Sequence, residues 1–376
     1  MRPKFIKENA KLYFVATSFG CSFSPYKDRL IAAINNLSGL GYKIELGSYV
    51  FKNRGIASTT PKLRAKEFME AMNSDCDVIM SVGGGEVMCE ILPYIPFDKI
   101  KKLPPKWFMG FSDNTNLTYT LTTICDIETI YGPHAPSFYL PLEYDTLDAI
   151  RLLKGELEFD DYGKWQYYKD ENPLASYTLN MESKIISYNY KESFSGRLIG
   201  GCLDCLITLC GTKFDNTVNY INNHKEEGII FFLEACDLNS IQIRRALFQL
   251  KNANWFNNIK GFIIGRSNNY FDKSFGITPQ EAYLKALKEI NVPILLDVDL
   301  GHLSPALPIR CGALATIKLI NNRLHISYTN SSSDENWYLS FKLVIIVGKA
   351  SGIESVSVCN KIIVPDLTWG NNSLIT

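Results

Sequence analysis

Apolar residues along the first 150 positions change period repeatedly, and each change marks an element. Lys11-Leu-Tyr-Phe-Val-Ala16 is a short continuous apolar run, the signature of a buried strand. Ser24 to Leu40 places Ile31, Ile34 and Leu37 at three-residue spacing, with Gly39 and Gly41 as stop signals, and predicts a helix. Tyr42 to Val50 alternates like a strand, and Pro61 to Met72 has helical spacing. Asp77-Val-Ile-Met-Ser-Val82 is an apolar strand that runs into Gly83-Gly84-Gly85. Glu86 to Leu92 continues as a helix, and Lys106-Trp-Phe-Met-Gly110 is a further strand. This βαβα order predicts a parallel sheet with helices on both faces.

The pattern breaks between about residues 155 and 185, where EFDDYGKWQYYKDENPLASYTLN is polar and aromatic without a clean period. It reads as a long loop or insertion, a feature that in compact domains often carries function. A second block follows, with strands at Gly196 to Gly200, Gly228 to Leu233, Gly261 to Gly265 and Pro293 to Val298. Helices at Cys202 to Leu209, Ser240 to Lys251 and Thr278 to Ile290 separate them, and strands at Leu314 to Leu319 and Leu324 to Tyr328 close the block. The expected organisation is therefore an N-terminal α/β domain over 1–155, a linker or loop over 156–190, a second domain over 191–335, and a tail over 336–376. The strand-like runs of that tail, ending in NNSLIT, have no place in this plan.

Composition narrows the function classes. The 376 residues are 46% hydrophobic and 21% charged, an ordinary globular balance that needs no disulfide or metal to fold. Thirty-nine basic residues cancel 39 acidic ones, so nothing suggests a nucleic-acid partner. No run approaches the roughly 18 apolar residues of a membrane span, and Leu12 to Ala16 is too short for a signal-peptide core. The ten cysteines are scattered along the chain, and Cys21, Cys76, Cys89, Cys125, Cys210, Cys236 and Cys311, mostly among apolar or small neighbours, read as reduced core thiols. A cytoplasmic protein is expected.

Three strand ends deliver reactive side chains. In Trp107-Phe-Met-Gly-Phe-Ser112-Asp-Asn-Thr, a strand stops, a serine follows and a helix begins, so the hydroxyl sits beside helix N-terminal amides. The nucleophile-elbow signature needs a fifth-position glycine, and Asn114 stands there instead. The alternative is that Ser112, Asp113 or Asn114 merely caps the helix. Glu234 ends an apolar strand, where a carboxylate needs a donor; it would orient a histidine, or pair with Arg244 or Arg245. His302 follows a strand and a glycine. Among four histidines, His325 and His224 read as packing or surface residues, and His134, in the rigid turn Tyr-Gly-Pro-His, is the competitor for a general base.

The Gly83-Gly84-Gly85 turn can offer bare backbone N–H groups to an oxyanion or a phosphate. It lacks a P-loop Lys-Ser/Thr and breaks GxGxxG at Met88, so a tight strand-to-helix turn is the competing reading. Cys202-Leu-Asp-Cys205 is a CxxC without a second pair at zinc spacing, and both residues read as core thiols. Trp165, Tyr167 and Tyr168 can stack on a flat ligand or pack the loop against its own domain.

Taken in the order Ser, Glu, His, these signals resemble the LD-carboxypeptidase family of serine peptidases, including its microcin C immunity branch. The resemblance runs from about residue 10 to 330. It rests on Pro61-Lys-Leu-Arg64, on Gly83-Gly84 with Leu92-Pro-Tyr-Ile95, on Gly110-Phe-Ser-Asp113 and on Gly200-Gly201 with Leu209-Cys-Gly-Thr212. Leu233-Glu234 and Asp299-Leu-Gly-His302 with Pro305 and Pro308 complete it. It implies a doubly wound parallel-sheet N-terminal domain carrying the serine and a smaller β-rich C-terminal domain carrying Glu and His, in a homodimer. Ser112 then matches the nucleophile, His302 the general base and Glu234 its orienting acid, with amides of Asp113 and of Gly84 or Gly85 as the oxyanion hole. No metal or cofactor enters this chemistry.

The substrate implied is a peptidyl or aminoacyl nucleotide, or a murein tetrapeptide losing its terminal D-amino acid. A purine stacking on Trp165 or Tyr167 would favour the first. Two departures stand out: Cys202 replaces the Asn common after Gly-Gly, and Glu86-Val-Met-Cys89 replaces an Asn/Ser-rich run. From another class, a non-catalytic nucleotide or sugar-phosphate binder would use the Gly83–Gly85 turn alone.

Overall fold

In a computed structural model, which describes residues 1–167 and 171–329, the alternating pattern of the N-terminal segment becomes a parallel sheet. The chain order is β1 (Lys11–Val15), α1 (Tyr26–Gly39), β2 (Lys43–Leu46), α2 (Pro61–Asn73), β3 (Val78–Ser81) and α3 (Phe97–Ile100). It continues through β4 (Trp107–Gly110), α4 (Thr115–Cys125) and β5 (Thr129–Tyr131). The strands lie side by side as β5-β4-β3-β1-β2, all parallel.

Side chains of a strand alternate between faces, and both faces of this sheet are apolar. Leu12, Phe14, Val78, Met80 and Met109 share one core with Leu30, Ala33 and Leu37 of α1. Tyr13, Val15, Ile79 and Phe108 share another with Phe68 of α2 and Leu117 and Leu121 of α4. This is the doubly wound arrangement. The helix expected from Glu86 differs: a 3-10 helix runs from Met88 to Tyr94, with Pro93 inside it. Proline lacks the N–H that would continue an α-helix, so the glycine turn opens into a loop instead.

After α5 (Tyr144–Leu153), the segment expected as a structureless loop contains four short strands. They are β6 (Glu158–Asp160), β7 (Lys164–Trp165), β8 (Met181–Glu182) and β9 (Ile186–Tyr188). Strands of two or three residues carry no readable period, and β9 is exposed throughout, which is why the sequence hides them.

The second sheet is built from β10 (Ser193–Cys202), then α6 (Leu203–Leu209), α7 (Thr217–Asn223), β11 (Ile229–Glu234), α8 (Ser240–Asn252) and β12 (Ile259–Gly265). The rest is α9 (Pro279–Leu287), β13 (Ile294–Val298), β14 (Ile309–Cys311), β15 (Leu314–Ile320) and β16 (Arg323–Tyr328). Its order is β6-β16-β15-β10-β11-β12-β13-β9, with β10 to β13 parallel and the outer strands antiparallel. Sheet membership therefore crosses the expected boundaries. β6 and β9, from the 156–190 segment, form the two edges of the second sheet. β14, from within 191–335, pairs antiparallel with β5 of the first.

Ligands of open parallel sheets collect outside the carboxyl ends of the strands. Ser112, Glu234 and His302 sit at the carboxyl ends of β4, β11 and β13 respectively. The two sheets are tied near that point by a hydrogen bond of 3.0 Å from the Cys202 N–H to Thr115 Oγ1 at the start of α4.

Candidate active site

Ser112 opens a 3-10 turn between β4 and α4, with φ of 61°. A non-glycine residue in this left-handed region is strained and persists only where its surroundings hold it. The capping alternative is not what the structure has: α4 starts without a side-chain cap hydrogen bond from Asn114. Instead, Asn114 Nδ2 donates to the carbonyls of Gly83 (3.0 Å) and Phe111 (3.1 Å), clamping the serine turn to the glycine turn. The residue that breaks the elbow signature is thus part of the elbow's support.

His302 Nε2 lies 2.9 Å from Ser112 Oγ, and its Nδ1 lies 2.8 Å from Glu234 Oε2. The carboxylate can only accept, so it selects the Nδ1–H tautomer and leaves Nε2 to accept from the hydroxyl. Glu234 is fully buried, and its partners are His302 and Tyr131 rather than Arg244 or Arg245. Burial alone would raise this carboxyl, but the His302 charge and hydrogen bonds from His302, Tyr131 and Cys202 hold it below its ordinary value. Burial likewise pulls His302 down, and Glu234, helped by the Cys236 thiol, outweighs it and lifts the imidazole well above 6.5. Gly301 makes the contact possible: with φ of 102°, a Cβ there would lie 2.8 Å from Glu234 Cβ.

His134, the competitor, does not touch Ser112 Oγ. It stacks on Phe111 (4.3 Å between centroids), with Nε2 3.1 Å from the Phe111 carbonyl and 3.0 Å from Asn114 Nδ2. Burial pushes it down to about 4, so it is neutral and supports the elbow. His224 and His325 pair with carboxylates elsewhere, Glu227 with Asp126 and Asp160 respectively.

The glycine turn faces the serine. A Cβ on Gly84 would lie 3.3 Å from both Ser112 Cβ and Oγ, so any larger residue would make the serine or the turn give by a few tenths of an ångström. The buried Asp113 carboxylate anchors the turn, accepting from Ser18 Oγ (2.5 Å), the Met88 N–H (2.9 Å) and Asn116 Nδ2 (3.0 Å). The Ser112 N–H itself is committed to the Tyr131 hydroxyl at 3.0 Å.

A cleft of about 660 Å³ opens at this point, lined by Gly83 to Gly85, Phe111, His134 and His302. Its outer wall carries Phe19, Phe23, Tyr26 and Arg29, and Phe23 and Tyr26 are half exposed with rings edge to face at 5.6 Å. Asn172, Pro173 and Ala175 to Tyr177 contribute to the rim, and Tyr177 is tied by its hydroxyl to Asp145.

The expected stacking residues are placed differently. Trp165 is buried, with the Arg266 guanidinium 4.8 Å above its ring, Tyr270 at its edge and Nε1 donating to the Glu182 carbonyl. Tyr167 packs edge-on against Phe271 at 4.8 Å, and neither ring lines the cleft. Both hold the segment against its own domain; Tyr168 and the 336–376 tail lie outside the described residues. Cys202 is a buried thiol as expected, but Cys205 is half-buried with Sγ 3.7 Å from the Ser112 carbonyl. Tyr131, Cys236 and the cleft-wall rings of Phe23 and Tyr26 escaped the sequence reading as site residues. Tyr131 ends the strand next to β4 (Gly110 pairs with Tyr131), so strand-end position would have found it had the Tyr-Gly-Pro-His turn not drawn attention to its histidine. Among the described residues no group of His, Cys, Asp and Glu is arranged to hold a metal, and no helix is long and apolar enough to cross a membrane.

Fold and comparisons together define a serine-peptidase-type hydrolase with a parallel-sheet N-terminal domain and a separate C-terminal domain. Residues 12–132 match the LD-carboxypeptidase N-terminal domain and residues 195–317 the LD-carboxypeptidase C-terminal domain, together more than half of the chain. The chain belongs to the LD-carboxypeptidase family. It is 26% identical over 325 residues to the microcin C7 self-immunity protein MccF of Escherichia coli, covering 82% of this chain and 91% of that protein. A carboxypeptidase-named protein of Vibrio cholerae is 25% identical over 318 residues, covering 82% and 92%. Among solved structures, the MccF-like protein of Bacillus anthracis superposes with a TM-score of 0.76 at 22% identity, covering 88% of this chain and all of that one. MccF in complex with glutamyl sulfamoyl guanosine gives 0.75 at 24%, covering 88% and 99%.

Proposed function

We propose that the protein is a serine carboxypeptidase or amidase in which Ser112 attacks, His302 moves the proton and Glu234 orients and stabilises the imidazole. One observation carries this reading: the relay from Ser112 Oγ to His302 Nε2 to Glu234 is closed, at 2.9 and 2.8 Å. A serine hydroxyl is a weak nucleophile until a neighbouring base takes its proton. As Oγ bonds to the scissile carbonyl carbon, its proton passes to Nε2, and Glu234 stabilises the imidazolium. The amides of Asp113 and of Gly84 or Gly85 receive the oxyanion, one such donor being worth about 3 kcal/mol. The imidazolium then protonates the departing amine, and His302 activates the water that releases the acyl group.

The substrate we assign is an amide beside a free or carboxylate-bearing terminus, first a peptidyl or aminoacyl nucleotide. The self-immunity name of the Escherichia coli relative and the sulfamoyl nucleoside in a structure of MccF support this. So do the half-exposed rings of Phe23 and Tyr26 on the cleft wall, which take over the stacking role that the buried Trp165 cannot fill. The carboxypeptidase names of other relatives favour the second substrate, a murein tetrapeptide. Hydrolysis of an aminoacyl-sulfamoyl adenosine and a muropeptide, compared between wild type and Ser112→Ala, separates these readings. The expected outcome is faster cleavage of the nucleotide, lost by about 10⁴-fold or more in Ser112→Ala. Tight nucleotide binding without cleavage of either compound would favour the binder that uses Gly83–Gly85. The proposal extends to a cytoplasmic homodimer, for which light scattering on a sizing column should give twice the 42.5 kDa chain mass.

A further inference from the structure

Tyr131 ends β5, paired with Gly110 of β4, two residues before the nucleophile. Its ring is buried between Phe111 and Phe232, with centroids at 6.3 and 5.6 Å. The hydroxyl makes two hydrogen bonds in opposite senses. It donates to Glu234 Oε1 at 2.5 Å and accepts the Ser112 N–H at 3.0 Å. The other oxygen of Glu234 holds His302. One phenol therefore joins the acid end of the relay to the main chain of the serine end, closing a ring of contacts: Ser112, His302, Glu234, Tyr131 and Ser112 again.

We propose that Tyr131 is a positioning residue for the hydrolysis, acting through Glu234 and Ser112 without touching substrate; the inference rests on the Ser112 hydrolase reading above. A fully buried carboxylate must find donors for both oxygens, and charge-assisted donors are the strong ones. His302 serves one oxygen and Tyr131 the other. Without the hydroxyl, the ionised pair loses a donor to its anion and binds its proton more tightly. At the serine, the same hydroxyl holds the amide of a residue strained at φ of 61° and keeps that amide out of the oxyanion hole. Two donors, from Asp113 and the glycine turn, then carry the oxyanion. Burial, and next the Glu234 charge, keeps the phenol protonated well above 10, so it remains a donor throughout the working range.

The other groups facing Glu234 are thiols and a phenol. They are Cys202 at the end of β10, Cys205 on α6, Cys236 after β11 and Tyr283 on α9, each raised above its ordinary value and so uncharged near neutrality. Glu86, which feels the His302 charge, is raised by burial. Asp113, next to the nucleophile, is likewise raised by burial, so the Glu234→Gln background is what assigns a moved limb to the His302–Glu234 pair.

The test uses a fluorophosphonate, which labels an activated serine whatever the natural substrate, with rates measured across pH on the full chain. Four proteins are compared: wild type, Tyr131→Phe, Glu234→Gln and the double variant. Phe keeps the ring in its pocket, and a thermal melt checks the fold. Tyr131→Phe should label Ser112 about 10-fold more slowly, the scale of one hydrogen bond to a charged group, with its acid limb moved to higher pH. In the Glu234→Gln background the same change should cost clearly less than in wild type, because the contact to Glu234 no longer bears a charge while the Ser112 contact remains. A wild-type rate, an unmoved limb, or an equal loss in both backgrounds overturns the inference while leaving the hydrolase reading intact. Absence of label on wild-type Ser112 overturns both.

Discussion

On the β4 side of the cleft, Ser112 is held by backbone and shape. Its positive φ, the close approach of Gly84 and the Asn114 clamp leave it almost no room to move. On the β11 and β13 side, Glu234 and His302 are held by charge, a buried carboxylate against an imidazole at 2.8 Å. The difference decides how each half should fail. A wall fixed by shape fails when a methyl group is added, at any pH. A wall fixed by charge fails when a proton is added, and recovers when it is removed.

Removing the base should have the largest effect. His302→Ala is expected to lower kcat by about 10⁴-fold or more, read by hydrolysis assay, with a melting curve to check that the fold persists once the buried Glu234 loses its partner. Gly84→Ala puts a Cβ 3.3 Å from Ser112 Oγ, so the proposed oxyanion donor or the serine must shift. About 10²-fold loss in kcat is expected, the cost of one misplaced donor, equal at every pH tested. A Gly84→Ala loss that depended on pH would mean that shape and charge are not separate on the two walls.

The pH dependence sharpens the other half. A general base works neutral, and Glu234 lifts His302 well above 6.5, so kcat/KM should rise with pH along a one-proton limb centred above 6.5. Glu234→Gln removes the lifting charge and should bring that limb down. A wild-type limb at or below 6.5 would show that the pair is not coupled as its geometry implies. The smallest effect belongs to the buried aromatic segment. Trp165→Phe should leave kcat and KM within about 2-fold while costing about 1 kcal/mol of stability through the lost Nε1 hydrogen bond to Glu182. A KM change for the nucleotide substrate alone would return Trp165 to the binding surface.

The parallel sheet was legible because β1, β3, β4, β11 and β12 are continuous apolar runs that the sequence brackets with glycine or helical spacing. The three strand-end residues were legible for the same reason, since a polar side chain directly after such a run is conspicuous. Contacts between segments were not. Tyr131 reads as the start of a rigid turn until β5 is placed beside β4, and only then does its hydroxyl face Glu234 103 positions away. Asn114 breaks a local motif, and its reason lies in Gly83, on another strand end. Trp165 misled because burial depends on where Arg266 and Tyr270 fold, more than 100 residues further on. β14 pairs with the first sheet across a chain distance that no local pattern records.

The most direct measurement is the site and pH dependence of fluorophosphonate labelling, read by peptide mass mapping of the intact enzyme. A single adduct is expected on the hydroxyl at position 112, forming along an alkaline-shifted limb and absent from His302→Ala. An adduct on Cys205 or Cys236, or equal labelling with and without the imidazole, would contradict a serine activated from the opposite wall.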